Sequence, residues 1–128
     1  MKILRTPEEC FDNLEDYPFE PNYIDIEHND QTLRMHFLDE NSESEEIVLL
    51  MHGEPTWSYL YRKIIPILVS NGKRVIAPDL IGFGKSDKPS SREDYSYANH
   101  IMWVETLIKR LDLKTSFFLR KIGVALLV

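Results

Sequence analysis

Tyr23-Ile24-Asp25-Ile26-Glu27 alternates apolar with polar residues, and Leu33-Arg34-Met35-His36-Phe37 repeats the alternation. A period of two marks a strand with one face on a core. With Asn29-Asp30-Gln31 between them, the two segments predict an antiparallel hairpin with one buried face. Asn41 to Glu46 is polar throughout and reads as a turn. Ile47-Val48-Leu49-Leu50-Met51 then breaks the alternation. A continuous apolar run of this length predicts a strand covered on both faces, as in a sheet flanked by helices. Arg74-Val75-Ile76-Ala77 repeats that pattern after a helical stretch from about Ser58 to Val69. Pro66 removes a hydrogen bond from that helix, so a kink or a two-part helix is expected there. Asn71-Gly72 closes it with residues that tolerate a left-handed backbone. From Tyr97 to Leu111, Ile101, Val104, Leu107, Ile108 and Leu111 fall at helical spacing, with Glu105, Lys109 and Arg110 outside. A further strand is expected to start near Phe117-Phe118.

Hairpin, strand, helix, strand, helix and a further strand make an α/β chain, with parallel strands joined by crossover helices. Five strands and two main helices are expected. Functional groups of such sheets gather at the carboxyl ends of the strands. Two loops lie there, His52 to Trp57 and Pro78 to Asp87, and function is to be sought in them.

Composition narrows the class. The 128 residues, 43% hydrophobic, suit one globular domain and leave no room for two. The longest apolar runs, 47–51 and 64–69, are too short to span a membrane. The segment Met1-Lys2-Ile3-Leu4-Arg5-Thr6-Pro7 has no long apolar stretch of the secretory kind, so a cytoplasmic protein with no membrane partner is expected. Cys10, the single cysteine, excludes an internal disulfide and a thiolate-rich zinc site. The net charge of −6 is uneven: residues 1–50 hold 3 Lys/Arg against 14 Asp/Glu, residues 51–128 hold 12 against 7. The carboxylates are scattered among apolar residues and read as solvated surface. An acidic chain without a basic stripe argues against a nucleic-acid partner. Residues 1–22 form an irregular arm rich in Asp, Glu, Asn and Pro, with Phe11, Leu14, Tyr17 and Phe19 to pin it down.

Two motifs call for chemistry. Gly82-Phe83-Gly84-Lys85-Ser86-Asp87 resembles a phosphate loop, but a P-loop needs a glycine five positions before its Gly-Lys-Ser. That position is Asp79, whose charge repels phosphate, and a dinucleotide fingerprint fails at Asp87 for want of a small residue. The glycines are therefore read as permitting a tight loop. His52-Gly53-Glu54 has no second histidine at ligand spacing, and His28, His36 and His100 show none either, so no metal and no cofactor are expected. Gly53 is either a turn out of a buried strand or part of a loop whose backbone N–H groups face developing negative charge. Local physics leaves both readings open.

A specific resemblance narrows that choice. Met51-His52-Gly53-Glu54-Pro55-Thr56-Trp57-Ser58-Tyr59-Leu60-Tyr61-Arg62-Lys63, followed by Arg74-Val75-Ile76-Ala77-Pro78-Asp79-Leu80-Ile81-Gly82-Phe83-Gly84-Lys85-Ser86-Asp87-Lys88-Pro89, resembles haloalkane dehalogenases of the α/β-hydrolase superfamily. Arg5-Thr6-Pro7, Asn13-Leu14 and Tyr17-Pro18-Phe19 resemble the arm of one branch of that family. The likeness covers residues 1 to about 116 and implies the N-terminal half of an α/β-hydrolase core. It also implies a reaction: an aspartate displaces halide from a haloalkane, and water activated by a histidine hydrolyses the resulting alkyl-enzyme ester. By the same resemblance the Glu54 backbone N–H supplies half an oxyanion hole and its side chain helps position the water, with His52, Gly53, Pro55 and Trp57 in the loop around it. Small halogenated alkanes and water are the implied partners, with no cofactor and no metal. Epoxide hydrolases are the alternative; they usually carry an aromatic residue where this chain has Glu54.

The resemblance then stops. The family's elbow, Gln-Asp-Trp-Gly-Gly, is expected next, but the chain reads Phe117-Phe118-Leu119-Arg120-Lys121-Ile122-Gly123-Val124-Ala125-Leu126-Leu127-Val128. No Asp follows Asp112, so nucleophile, acid and base are absent and the chain as given is expected to be inactive, a non-catalytic remnant. Writing Arg120 as CGC, Lys121 as AAG, Ile122 as ATT, Gly123 as GGG, Val124 as GTG and Ala125 as GC-, and reading from the third base, gives CAA, GAT, TGG, GGT and GGC. Those codons spell the elbow, which predicts a frameshift just upstream of it. The expected division is an arm at 1–22, a partial α/β-hydrolase domain at 23–116 and an out-of-frame tail at 117–128, least native-like of the three.

Overall fold

The computed structural model describes residues 1–113 and the backbone of 120–122. Its main sheet is built from β2 (Asn22–His28), β3 (Gln31–Glu40), β4 (Ile47–Leu50), β5 (Arg74–Pro78) and β7 (Arg120–Ile122), in the order β2-β3-β5-β4-β7. A two-stranded ribbon pairs β1 (Ile3–Leu4) with β6 (Lys88–Pro89) and ties the start of the arm to the loop after β5. The helices are α1 (Ile64–Ser70) and α2 (Tyr97–Arg110).

The β2–β3 hairpin turns on Asn29 and Asp30, with φ of 48° and 58°. Both are left-handed, as a two-residue turn matched to the strand twist requires. Alternation predicts one buried face, and in β3 this holds only as far as Met35. His36 and Leu38, on the opposite face, are also fully buried. The reason lies outside the hairpin: β3 pairs antiparallel with β5 from Phe37↔Pro78 to Glu40↔Val75, which draws its second half into the covered centre of the sheet.

β4 is buried at every position, and it runs parallel to both β5 and β7. Ile47, Leu49 and Met51 face one cluster, which Trp103 and Leu107 of α2 cover. Val48 and Leu50 face the other, with Ile65 of α1 and Tyr17 of the arm. At about 25 cal/mol per Å² of apolar surface removed from water, this two-sided cover makes β4 and β5 the centre of the fold. The apolar runs predicted it.

Three expectations shift. The helical stretch from Ser58 to Val69 is in two parts, a 3-10 turn at Ser58–Tyr61 and then α1, but the break falls at Arg62 and Lys63. Pro66 sits in the first turn of α1, where a missing N–H costs nothing because no partner precedes it. Asn71 and Gly72 close α1, but only Gly72 is left-handed (φ +79°), with Gly72 N–H on Val69 O at 3.0 Å and Lys73 N–H on Leu68 O at 3.1 Å; Asn71 stays at φ −92° and donates its side-chain amide to Ile67 O at 2.7 Å. On α2 the inward stripe centres on His100, Trp103 and Leu107, leaving Ile101 and Met102 exposed. The large indole of Trp103 takes the central position and rotates the stripe by about one residue. The Ser96 hydroxyl caps this helix, accepting the Asn99 N–H at 3.1 Å.

The strand start expected at Phe117-Phe118 lies outside the described residues, as does most of the 117–128 tail. Within that tail Arg120–Ile122 forms β7, in register with Val48 to Leu50.

Candidate functional site

β4 and β5 are parallel neighbours, so the loops that follow them emerge at the same edge of the sheet. An open cavity of about 480 Å³ lies there. Its lining combines Glu54 after β4, Gly82 and Phe83 after β5, and Arg92, Tyr95, Ser96, Tyr97 and His100 at the start of α2.

The loop after β4 is built around His52. Its imidazole is buried, its Nε2 accepts the Leu80 N–H at 2.9 Å, and its Nδ1–H donates to Gly53 O at 3.0 Å. The two contacts assign the proton to Nδ1, and burial holds the ring's pKa below its ordinary value, so it is neutral. Gly53 O accepts two further donors, Thr56 N–H at 2.9 Å and Thr56 Oγ1–H at 2.6 Å. Glu54 is exposed on the cavity side and its own N–H meets no acceptor among the described residues. Pro55 is exposed beside it. Trp57 takes a different direction. It packs against Phe11 and Tyr17 at 5.4 Å each and stacks on Tyr59 at 5.6 Å, fastening the arm to the loop, and it is not among the cavity-lining residues.

The loop after β5 turns its polar groups inward. Asp79 is fully buried and accepts Ser58 N–H at 2.7 Å, Lys85 N–H at 3.0 Å and the His36 Nδ1–H at 2.9 Å. Burial alone raises this carboxyl, but the hydrogen bonds from His36, Lys85 and Ser58 outweigh it and hold its pKa below the ordinary value. Ser86 Oγ–H donates to Asp79 O at 2.6 Å and accepts the His36 N–H at 2.9 Å. Asp87 accepts the Nε–H and an Nη2–H of Arg5, at 2.6 and 2.8 Å, and the Arg34 N–H at 2.9 Å. Gly82 and Gly84 carry φ of +99° and +53°, and a Cβ at Gly84 would collide with the Asp79 carboxylate. These glycines let the backbone close around a buried acid.

The family profile described as alpha/beta hydrolase fold matches residues 46–117, which is more than half of the chain and includes both loops. The chain belongs to the alpha/beta hydrolase fold family. Within this hydrolase fold it is 56% identical over 114 residues to a haloalkane dehalogenase from Psychrobacter cryohalolentis, covering 88% of this chain and 38% of that protein. The tetrameric haloalkane dehalogenase DpaA from Paraglaciecola agarilytica NO2 superposes with a TM-score of 0.86 at 47% identity, over 98% of this chain and 40% of that one. Epoxide hydrolase A from Mycobacterium thermoresistibile superposes less well, with a TM-score of 0.64 at 28% identity, over 81% and 31% of the two chains. This hydrolase-fold chain thus spans about two fifths of the length of the relatives it matches.

Of the five loop residues singled out in the sequence, only Glu54 lines the cavity. His52 and Gly53 lie behind it, and Trp57 points to the arm. Sequence reasoning missed Tyr95 and His100, which face the cavity from the start of α2. His100 is buried, and burial and the nearby His52 hold its pKa below the ordinary value. Its spacing on a predicted helix, three residues before Trp103, was the available signal. Asp79 was singled out only as a reason to reject a phosphate loop, and no local pattern pairs it with His36, 43 residues earlier. Among the described residues no cluster of three or more His, Cys, Asp or Glu side chains lies close enough to hold a metal ion, and no helix is long and apolar enough to cross a membrane.

Proposed function

We propose that this chain supplies the N-terminal, oxyanion-loop part of a haloalkane dehalogenase, acting on small halogenated alkanes and water in the cytoplasm. In the reaction a carboxylate attacks the halogen-bearing carbon, the carbon–halogen bond breaks and halide leaves. Water then adds to the carbonyl carbon of the resulting ester, which collapses to alcohol and the free carboxylate. This chain's part falls in the second step. The Glu54 N–H donates to the oxygen on which charge develops, and the Glu54 carboxylate, exposed at the cavity, orients the water. Removing one such backbone-type donor typically costs about 10²–10³ in rate. The Gly53 carbonyl closes the turn by accepting the Thr56 N–H, His52 braces it from behind, and Trp57 connects it to the arm, with Pro55 exposed between them. The division into an arm at 1–22, a partial domain at 23–116 and a tail at 117–128 belongs to the same proposal.

One observation carries this reading most of the way: Glu54 stands on the cavity at the carboxyl end of β4, with its N–H unpaired among the described residues. The weaker likeness to an epoxide hydrolase keeps that activity as the second reading. Two chimeras separate them. Residues 1–113 are joined to the remainder of the Psychrobacter cryohalolentis dehalogenase and, separately, to the remainder of epoxide hydrolase A. Each is given a bromoalkane and an epoxide. Halide release by the first, with no diol from the second, is expected. Diol from the second with no halide from the first replaces the dehalogenase reading with the epoxide one. The 128-residue chain alone is expected to release no halide above buffer.

A further inference from the structure

The Gly53 carbonyl carries an unusual load. A carbonyl oxygen has two lone pairs, yet Gly53 O takes three donors: Thr56 Oγ1–H at 2.6 Å, Thr56 N–H at 2.9 Å and His52 Nδ1–H at 3.0 Å. Three donors on one oxygen leave that carbonyl a single direction to point. Across a trans peptide bond the carbonyl and the following N–H point in opposite directions within one plane. Whatever holds the Gly53 carbonyl therefore aims the Glu54 N–H as well. The hold is anchored beyond the loop, because the Leu80 N–H, two residues past β5, donates to His52 Nε2 at 2.9 Å and so forces the proton onto Nδ1. Leu80 in turn follows Asp79, whose carboxylate is fixed by the amides of Ser58 and Lys85.

We propose that His52, as its Nδ1–H tautomer, and the Thr56 hydroxyl are positioning residues that clamp the Gly53 carbonyl and thereby fix the Glu54 N–H toward the cavity. The inference rests on the oxyanion role proposed above and deepens it. Neither side chain touches substrate; both act through one peptide plane. Thr56→Val keeps the shape and removes the shortest of the three hydrogen bonds. Thr56→Ser keeps the hydroxyl and loses a methyl group.

Two measurements test it. In the dehalogenase chimera, Thr56→Val is expected to release a rapid burst of about one halide per enzyme, followed by turnover slower by about 10- to 100-fold. The first step needs no oxyanion, whereas ester hydrolysis does. KM falls together with kcat, so that kcat/KM stays within about twofold, because only the step after ester formation is slowed; Thr56→Ser restores turnover. In the 15N-labelled 128-residue chain, long-range 1H–15N spectra are expected to show His52 as the neutral Nδ1–H tautomer. The Glu54 amide resonance should move in Thr56→Val and return in Thr56→Ser. Unchanged turnover in Thr56→Val overturns the clamp, and so does an Nε2–H tautomer or a Glu54 amide that stays in place. A chimera inactive before any substitution counts against the dehalogenase reading and leaves the spectra to decide the clamp.

Discussion

The loops after β4 and β5 leave the sheet side by side and treat their polar groups in opposite ways. The loop after β5 carries the richer motif, with two glycines, a lysine, a serine and two aspartates between Asp79 and Asp87. Asp79, Ser86 and Asp87 are all buried, and each is hydrogen-bonded within the protein. The loop after β4 is plainer, yet its Glu54 is exposed on the cavity while a buried neutral histidine holds the turn from behind. Carboxylates and a hydroxyl that are paired within their own fold are not left over for a ligand. Motif density and exposure at the cavity separate here: the β5 loop buries its carboxylates as a brace, and the β4 loop is the one that presents a carboxylate, Glu54, to the cavity.

The largest effect expected from this contrast is at Asp79. Replacing it with alanine orphans the Ser58 and Lys85 amides and the His36 imidazole. Breaking a buried pair in this way costs about 3–5 kcal/mol. Glu54→Ala, at an exposed position, should stay within about 0.5 kcal/mol of the parent. Urea denaturation of both variants checks the pair, and an Asp79→Ala variant no less stable than Glu54→Ala breaks the contrast outright. Next in size is Gly84→Ala. It places a side chain at φ +53° against the Asp79 carboxylate, an added strain of about 1–3 kcal/mol by the same measurement.

The two loops should also separate by pH. Both His52 and Asp79 have their folded pKa held below the ordinary value. In the window between the folded and the ordinary value, the unfolded chain therefore binds more protons than the folded one, and stability rises with pH. For His52 the window opens downward from 6.5, a range that His100 shares. For Asp79 it opens downward from 3.8. Denaturation midpoints taken from pH 8 to pH 3 should fall in two stages, and His52→Asn should shrink the upper stage alone. A single loss confined to acid contradicts the neutral, buried His52. The smallest effect is at Arg5, half-exposed on its buried partner Asp87. Arg5→Ala should cost only about 1 kcal/mol, since the Arg34 N–H still serves that carboxylate and solvent screens the exposed guanidinium.

Much of the fold was legible because it is written in local periodicity. The unbroken run at 47–51 announced a strand covered on both faces, and Asn29-Asp30 announced the hairpin turn. What escaped was set by partners distant along the chain. His36 looks like the polar side of a half-buried strand, and only pairing with β5 and Asp79 carries it inside. Ile101 fits a helical stripe as well as Trp103 does, and the larger ring decides which of them is buried. At the site, the position of the loop at a strand's carboxyl end was legible from strand order alone. The peptide direction of Gly53–Glu54 was not, because it depends on a histidine tautomer set by an amide 28 residues away.

The contrast between brace and site meets its most direct test at Glu54 in the dehalogenase chimera. Steady-state halide release is compared between the parent and Glu54→Ala, with the denaturation midpoint measured on the same preparations. Turnover lower by about tenfold or more at an unchanged midpoint is the expected result. Full turnover in Glu54→Ala, or a loss of turnover that merely follows a loss of stability, contradicts the account.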